Sequence, residues 1–333
     1  MIPSATPLAQ PTDWRQIYRD SAISAQALLQ QLGLPAEAER LAADDAGFPL
    51  RVPAPFRQRM RPGDPNDPLL RQVLPLADEL RRVPGFAIDA VGDLASRGNA
   101  GVLHKYHGRV LLIATGSCAI HCRYCFRRHF PYSDELAAKQ NWQPAIDYLT
   151  AHPDVSELIL SGGDPLALST SKLSELTDQL RALPSIRRLR LHTRLPIVIP
   201  QRVDEGLLRW LRALPWPVTL VLHSNHGNEI DAEVAAACGE LRAAGVQLLN
   251  QAVLLRGVND QTEAQLELSE SLWRAGVLPY YLHLLDRVHG TAHFEVDRAR
   301  AEQIYADMRR QLPGYLVPRL ARETAGEPHK TWL

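Results

Sequence analysis

Residues 110–126 read VLLIATGSCAIHCRYCF. A six-residue apolar run, Val110–Thr115, breaks at Gly116, and three cysteines (Cys118, Cys122, Cys125) then fall within eight positions. The run is too short for a core helix, and a glycine bounds it. It therefore reads as a fully buried strand that delivers a thiol-bearing loop at its carboxyl end.

Working outward, the same kind of run recurs at Leu158–Ser161, Leu189–His192, Val218–His223, Gln247–Val253 and Pro279–His283. Between the runs lie helical patterns near Trp142–Ala151, Lys172–Leu183, Asp204–Leu214, Asp231–Ala244, Thr262–Ala275 and Arg298–Leu312. Six strand–helix repeats predict an α/β fold, a parallel sheet with helices outside, curled into a partial (βα)6 TIM-like barrel. Chemistry in such barrels sits at the carboxyl ends of the strands. The polar clusters fall there: Gly162–Asp164 after the second run, His192–Arg194 after the third, His223–Glu229 after the fourth and Asp286 after the sixth.

Residues 1–100 are rich in Pro and Arg with short helical patterns, and they predict an N-terminal helical extension. Ile23–Leu34 reads as an amphipathic helix with Leu28, Leu29 and Leu32 on its apolar side, and residues 62–68 (PGDPNDP) as loop. The barrel core is expected over 101–315 and a short folded-back tail over 316–333.

The chain has 333 residues, 45% of them hydrophobic, and a formal net charge of zero. No basic face points to nucleic acid, and no apolar run approaches the roughly 20 residues of a membrane span. Met1–Arg15 lacks a basic start followed by an apolar stretch, so no secretory signal is expected and the cytosol is the expected compartment. There, clustered thiols bind metal or do redox chemistry more often than they form disulfides.

The spacing C-x3-C-x2-C lets three thiolates ligate three irons of a [4Fe–4S] cubane, leaving the fourth iron open to a ligand. The alternative is a zinc site with His121 or His129 as fourth ligand, but zinc sites usually use C-x2-C pairs. The remaining cysteine, Cys238, lies in a helical pattern and reads as a small buried hydrophobe. Of the 37 basic residues 33 are Arg, so any chemistry needing a lysine amine has four candidates: Lys105, Lys139, Lys172 and Lys330.

The cysteine spacing, with the aromatic Tyr124 before the third thiol, resembles the radical S-adenosylmethionine (SAM) superfamily signature. Several segments resemble the lysine 2,3-aminomutase family within it: Cys125–Phe130 (CFRRHF), Ser161–Leu166 (SGGDPL), His192–Pro196 (HTRLP), Asn250–Asp260 and Pro279–His283 (PYYLH). The likeness covers nearly the whole chain. Leu103–His107 (LHKYH), Arg128–Tyr132, Leu320–Glu323 and Gly326–Lys330 resemble the branch that makes (R)-β-lysine for modification of elongation factor P.

The resemblance implies a partial barrel of the radical SAM type and three cofactors: a [4Fe–4S] cluster on Cys118, Cys122 and Cys125, SAM, and pyridoxal 5′-phosphate (PLP). The implied reaction exchanges the α-amino group of L-lysine with a hydrogen on the β carbon, without net redox change. Tyr124 and the Gly162–Gly163–Asp164 element match the SAM site, with Asp164 where the superfamily more often has Glu. Lys330 matches the PLP lysine, with Lys105 as fallback. Arg109 matches a basic residue near the PLP phosphate, and Arg194 and Arg202 are further phosphate candidates. Arg127 matches the arginine for the substrate carboxylate. Asp286 and Glu323 match the two carboxylates for the ε-ammonium, Glu323 standing where the lysine-degrading branch has Asp.

As partners the resemblance implies an electron donor of flavodoxin or ferredoxin type and a functional link to elongation factor P and its lysyl ligase. It leaves a homo-oligomer open. The alternatives are the same chemistry on another amino acid such as glutamate, and a radical SAM enzyme without PLP.

Overall fold

A computed structural model describes residues 13–42, 49–97, 101–132 and 137–333. One nine-stranded sheet organises the chain: β1 Val102–Tyr106, β2 Arg109–Thr115, β3 Glu157–Gly162, β4 Arg188–Thr193, β5 Val218–His223, β6 Gln247–Val253, β7 Leu278–His283, β8 Arg319–Arg322 and β9 Thr331–Trp332. The order of strands in the sheet is their order in the sequence. β2 through β8 run parallel, and β1 and β9 are antiparallel edges on β2 and β8.

Six helices follow strands β2–β7 in turn: Gln143–Ala151, Thr170–Leu180, Glu205–Arg212, Ala232–Ala243, Thr262–Arg274 and Arg298–Gln311. The sheet is thus an open partial barrel. Its edges, β1 and β9, do not pair with each other, and one cavity is lined by residues from β1 through β7 and from β9.

All six expected strands and six expected helices are present, with ends moved by caps. Ser169 accepts from the Lys172 amide and starts the second barrel helix at Thr170, two residues before the predicted position. Ser24 caps the Ile23–Leu34 pattern in the same way, and the helix it starts is Ala25–Gln31. Asp204, Asp231 and Asp297 cap three more helices through the amides of Leu207, Val234 and Arg300. Three strands were not expected. β1 makes a hairpin with β2, β8 extends the parallel sheet beyond β7, and β9 folds the tail back onto β8.

The N-terminal segment shares one apolar core with the barrel. Trp14, Leu28, Leu29, Phe56, Leu69 and Leu70 cluster with Leu112, Leu160, Leu191 and Leu220. Burying such side chains contributes roughly 1.5–3 kcal/mol each. That burial holds residues 49–93 across the carboxyl ends of the strands, where they reach the site. No helix among the described residues is long and apolar enough to cross a membrane.

Candidate active site

The carboxyl ends of the strands surround a cavity of about 1060 Å³. That exceeds the roughly 300–1,000 Å³ usual for one small-molecule ligand. Cys118, Cys122 and Cys125 line it, as do Tyr124, Arg127, Gly162, Gly163, Asp164, Asp286, Glu323 and Lys330.

The thiol loop is held by the N-terminal segment. The Arg123 amide donates to the Gln72 carbonyl (2.9 Å) and the His121 amide to that of Arg51 (3.1 Å). Two arginines of the loop grip one buried carboxylate, that of Glu79. Arg123 does so through Nε (2.8 Å) and a terminal nitrogen (2.5 Å), and Arg128 at 2.7 Å. Burial pushes the Cys118 thiol well up and Cys125 up to about 11. Such thiols ionise when a metal takes them.

The donor set fits a cubane: three soft ligands open to one cavity, with no disulfide tying them up. No three His, Cys, Asp or Glu side chains among the described residues converge on a single ion. His121 and His129, the fourth ligands of a zinc site, each turn a ring nitrogen to a backbone carbonyl, of Pro49 (2.5 Å) and His289 (3.2 Å).

The Gly162–Gly163–Asp164 element lies against this loop. A Cβ on Gly163 would sit 2.5 Å from the Ser117 carbonyl oxygen, and one on Gly162 2.7 Å from that of Thr115. Gly162 also has φ +109°. The glycines therefore serve the close approach of two backbone loops. Asp164 departs from its expected role. Its Oδ1 accepts from Thr193 Oγ1 (2.7 Å) and the Leu166 amide (3.0 Å), and its Oδ2 from the Arg194 and Leu195 amides (2.7 and 2.9 Å). Four donors fill the lone-pair positions of a carboxylate. Asp164 thus ties β3 to the end of β4, and its oxygens are not left for a SAM amino group.

Arg194 is a second correction. Its guanidinium bonds Cys122 Sγ, Tyr124 Oη and Gln72 Oε1, each at 2.7 Å, and Glu229 Oε2 at 2.9 Å. It belongs to the thiol side of the cavity, where both terminal nitrogens are taken and Nε is buried without a partner, away from the phosphate position expected of it. Asn225 joins the same buried network through Tyr124 Oη (2.7 Å) and Gln72 Oε1 (2.9 Å).

Arg202 is the third correction. It is fully buried, does not line the cavity, and donates to the Leu166 carbonyl (2.8 Å) while its guanidinium lies 4.6 Å from the Trp14 ring centroid. It braces the N-terminal helix against the barrel.

Arg109 does line the cavity. Its guanidinium lies over the Tyr106 ring at 4.7 Å and has no hydrogen-bond partner among the described residues. Nearby donors are similarly unfilled: Arg190 Nε and His192 Nε2 are buried without partners. Such a wall suits a phosphate and a polar ring.

The far side of the cavity carries alternating charges. Arg127 Nε meets Asp93 Oδ2 at 2.7 Å, and Asp93 Oδ1 meets Lys105 Nζ at 2.5 Å. Lys105 Nζ meets Glu323 Oε1 at 2.9 Å, and Glu323 Oε2 meets Lys330 Nζ at 2.6 Å. Burial opposes ionisation of Glu323, but Lys330 and Lys105 beside it pull its carboxyl down to about 2. Glu323 thus already holds two ammonium groups. The carboxyl left over is Asp286, which has no hydrogen-bond partner to its side chain among the described residues. Burial, reinforced by the Glu323 charge, pushes Asp286 up to about 7.

Lys105, the fallback for PLP, is saturated by Asp93, Glu323 and the Val91 carbonyl (2.8 Å), whereas among the described residues Lys330 Nζ is hydrogen-bonded to Glu323 and lies over the Tyr281 ring. Lys172 pairs with Glu175 on the surface, and the Lys139 side chain lies outside the described residues.

Residues 107–189 match the model of a 4Fe-4S single cluster domain. L-lysine 2,3-aminomutase from Escherichia coli is 49% identical over 96% of this chain and 94% of its own. The chain belongs to the lysine 2,3-aminomutase family. Its Haemophilus influenzae relative of the same name is 43% identical over 99% of this chain and 98% of its own, and the Clostridium subterminale one 35% over 96% and 77%. Among solved structures, a radical SAM methyltransferase from Sphaerobacter thermophilus is similar over 66% of this chain and 68% of its own, at 18% identity and TM-score 0.48.

Sequence reasoning missed the contribution of the N-terminal segment to this aminomutase-family site. Gln72, Glu79 and Asp93 are all buried in it. Gln72 follows Arg71 and Glu79 follows Asp78 in a Pro- and Arg-rich stretch, and no spacing separates any of the three from a solvated residue.

Proposed function

We propose that this chain is an L-lysine 2,3-aminomutase that uses SAM and PLP to convert L-α-lysine to (R)-β-lysine. The observation that carries the reading is that the three cysteines, Lys330 and the unpartnered Asp286 all line one cavity. When bound, SAM on the open iron supplies a hydrogen-abstracting radical and PLP carries the migrating amino group.

The residues of this chain supply positions and charges. Glu323 holds Lys330 Nζ at 2.6 Å, and Arg109, Arg190 and His192 offer unfilled donors for the PLP phosphate and ring. Arg127 turns its terminal nitrogens to the substrate carboxylate, because Asp93 takes its Nε and, among the described residues, Ser161 Oγ at 3.3 Å is the partner of one terminal nitrogen. Asp286 receives the ε-ammonium, which favours a cationic over an anionic amino acid. Gly163 and Tyr124 border the SAM position.

The biological role proposed is supply of β-lysine for elongation factor P and its lysyl ligase in the cytoplasm, with a flavodoxin- or ferredoxin-type reductant. It rests on the likeness of Leu103–His107 and of the tail to that branch.

The test is anaerobic reconstitution with SAM, PLP, dithionite and L-lysine, followed by chromatography. β-Lysine that disappears in Lys330→Ala and Cys122→Ala supports the reading. SAM cleavage without β-lysine sinks the lysine assignment.

A further inference from the structure

Asp93 is 2% exposed and sits between two cations of the cavity wall. Its Oδ2 accepts from Arg127 Nε at 2.7 Å, and its Oδ1 lies 2.5 Å from Lys105 Nζ. Asp93 does not come from the barrel. It belongs to a short turn before β1, and that turn is itself fixed. Asp89 accepts the Asp93 and Leu94 amides through its two oxygens, both at 2.9 Å, and Ser96 Oγ donates to the Gly92 carbonyl at 2.8 Å. Although burial disfavours its charge, Arg127 and Lys105 hold the Asp93 carboxyl below its usual range, so it stays an anion.

The grip on Arg127 is selective. A guanidinium offers five N–H groups in a rigid plane. Occupying Nε fixes the rotation of that plane and leaves the pair of terminal nitrogens as the free edge. Arg127 lines the cavity, and among the described residues Ser161 Oγ meets one of those terminal nitrogens, at 3.3 Å. Without Asp93, Arg127 keeps its charge but loses the contact that chooses which edge faces the ligand.

We propose that Asp93 is a positioning residue for substrate: through Arg127 it presents a two-nitrogen fork to the α-carboxylate of the amino acid. This rests on the lysine reading above and deepens it. Asp93 touches neither substrate nor cofactor and acts only through the arginine.

The test uses the reconstituted holoenzyme, with calorimetric binding of L-lysine and of cadaverine, the diamine that lacks the carboxylate, measured without reductant. With reductant, kcat and KM are then measured for lysine. Asp93→Asn is expected to weaken lysine binding and raise its KM on the order of tenfold, the scale of one charge-assisted contact misplaced. Cadaverine binding, iron content and the pyridoxal absorbance should stay as in the wild type. In an Arg127→Ala background the same substitution should add nothing, because the two residues act as one unit. Asp93→Glu should restore part of the lysine affinity.

Unchanged lysine binding overturns the proposal. So does equal loss of lysine and cadaverine, or loss of iron and melting temperature in both the Asn and Glu variants, which would make Asp93 a fold element. A wild type that makes no β-lysine fails separately: it sinks the functional reading, and the positioning role with it.

Discussion

Lys330 Nζ lies 2.6 Å from Glu323 Oε2, while the other Glu323 oxygen meets Lys105 at 2.9 Å. One carboxylate therefore contacts two lysines, Lys105 sharing its charge with Asp93 as well, and Asp286 is left to receive a cation from outside. Lysine binding should then depend on pH. With Asp286 at about 7, the carboxyl must give up a proton below that pH before it can pair with an ammonium. The affinity for L-lysine should rise from pH 6 to about 7.5 and flatten above. Asp286→Asn should bind weakly at every pH and show no such rise. Calorimetry across that range checks both.

The same carboxyl predicts a stability effect. The folded pKa of Asp286 is raised from 3.8 to about 7, so between those values the native state binds more protons than the unfolded state, and stability falls as pH rises. At pH 8 the ligand-free protein carries the full cost, of order 4 kcal/mol at about 1.4 kcal/mol per pKa unit. Asp286→Asn should therefore raise the melting temperature of the ligand-free protein at pH 8 and raise it less at pH 5.

Removing Arg194 should destabilise the chain rather than weaken phosphate binding. Glu229 is fully buried, and Arg194 is its cation. Arg194→Met leaves that charge uncompensated at a cost of about 3–5 kcal/mol. Adding Glu229→Gln should recover part of the loss. Denaturant unfolding of the single and double variants measures it, and additive losses would contradict the pairing.

Gly163→Ala tests the contact between the two loops. The new methyl would lie 2.5 Å from the Ser117 carbonyl, so the loops must part. Fewer irons per chain after reconstitution are expected, with a fold intact by circular dichroism. Wild-type iron content would show that the loops have slack.

Arg202→Ala should lower stability by about 2–4 kcal/mol through lost packing and three backbone or hydroxyl contacts (Leu166, Leu168, Thr170). PLP affinity of the folded protein should be unchanged. A selective loss of PLP would return Arg202 to the cofactor site.

How much of this was legible depended on the range of the forces involved. Val110–Thr115 and Leu158–Ser161 read as nearly continuous apolar runs because β2 and β3 are mostly buried on both faces, while Gln247–Val253 alternates, with Leu248, Asn250 and Ala252 buried between more exposed neighbours; both patterns survive without neighbours. β8 and β9 were not legible. Arg319–Arg322 and Thr331–Trp332 are short and half polar; the first becomes a strand because β7 offers an unpaired edge, and the second because β8 then offers the next one. Asp93 and Glu79 were invisible for a related reason: a carboxylate in sequence carries no sign of whether it will be solvated, as Asp78 is, or clamped by two cations.

The sequence by itself determined the thiol spacing, the six strand–helix repeats and the family. Each rests on local periodicity or on residue types at fixed separations. Only the tertiary structure decided which charged side chains are free. It committed Asp164 to four donors, Arg194 to a buried network and Glu323 to two lysines, and it left Asp286 and the edge of Arg127 open. The reason is that hydrogen-bonding capacity is finite, and how it is spent depends on which residues arrive beside it, some of them, as Lys105 beside Glu323, 218 positions away in the chain.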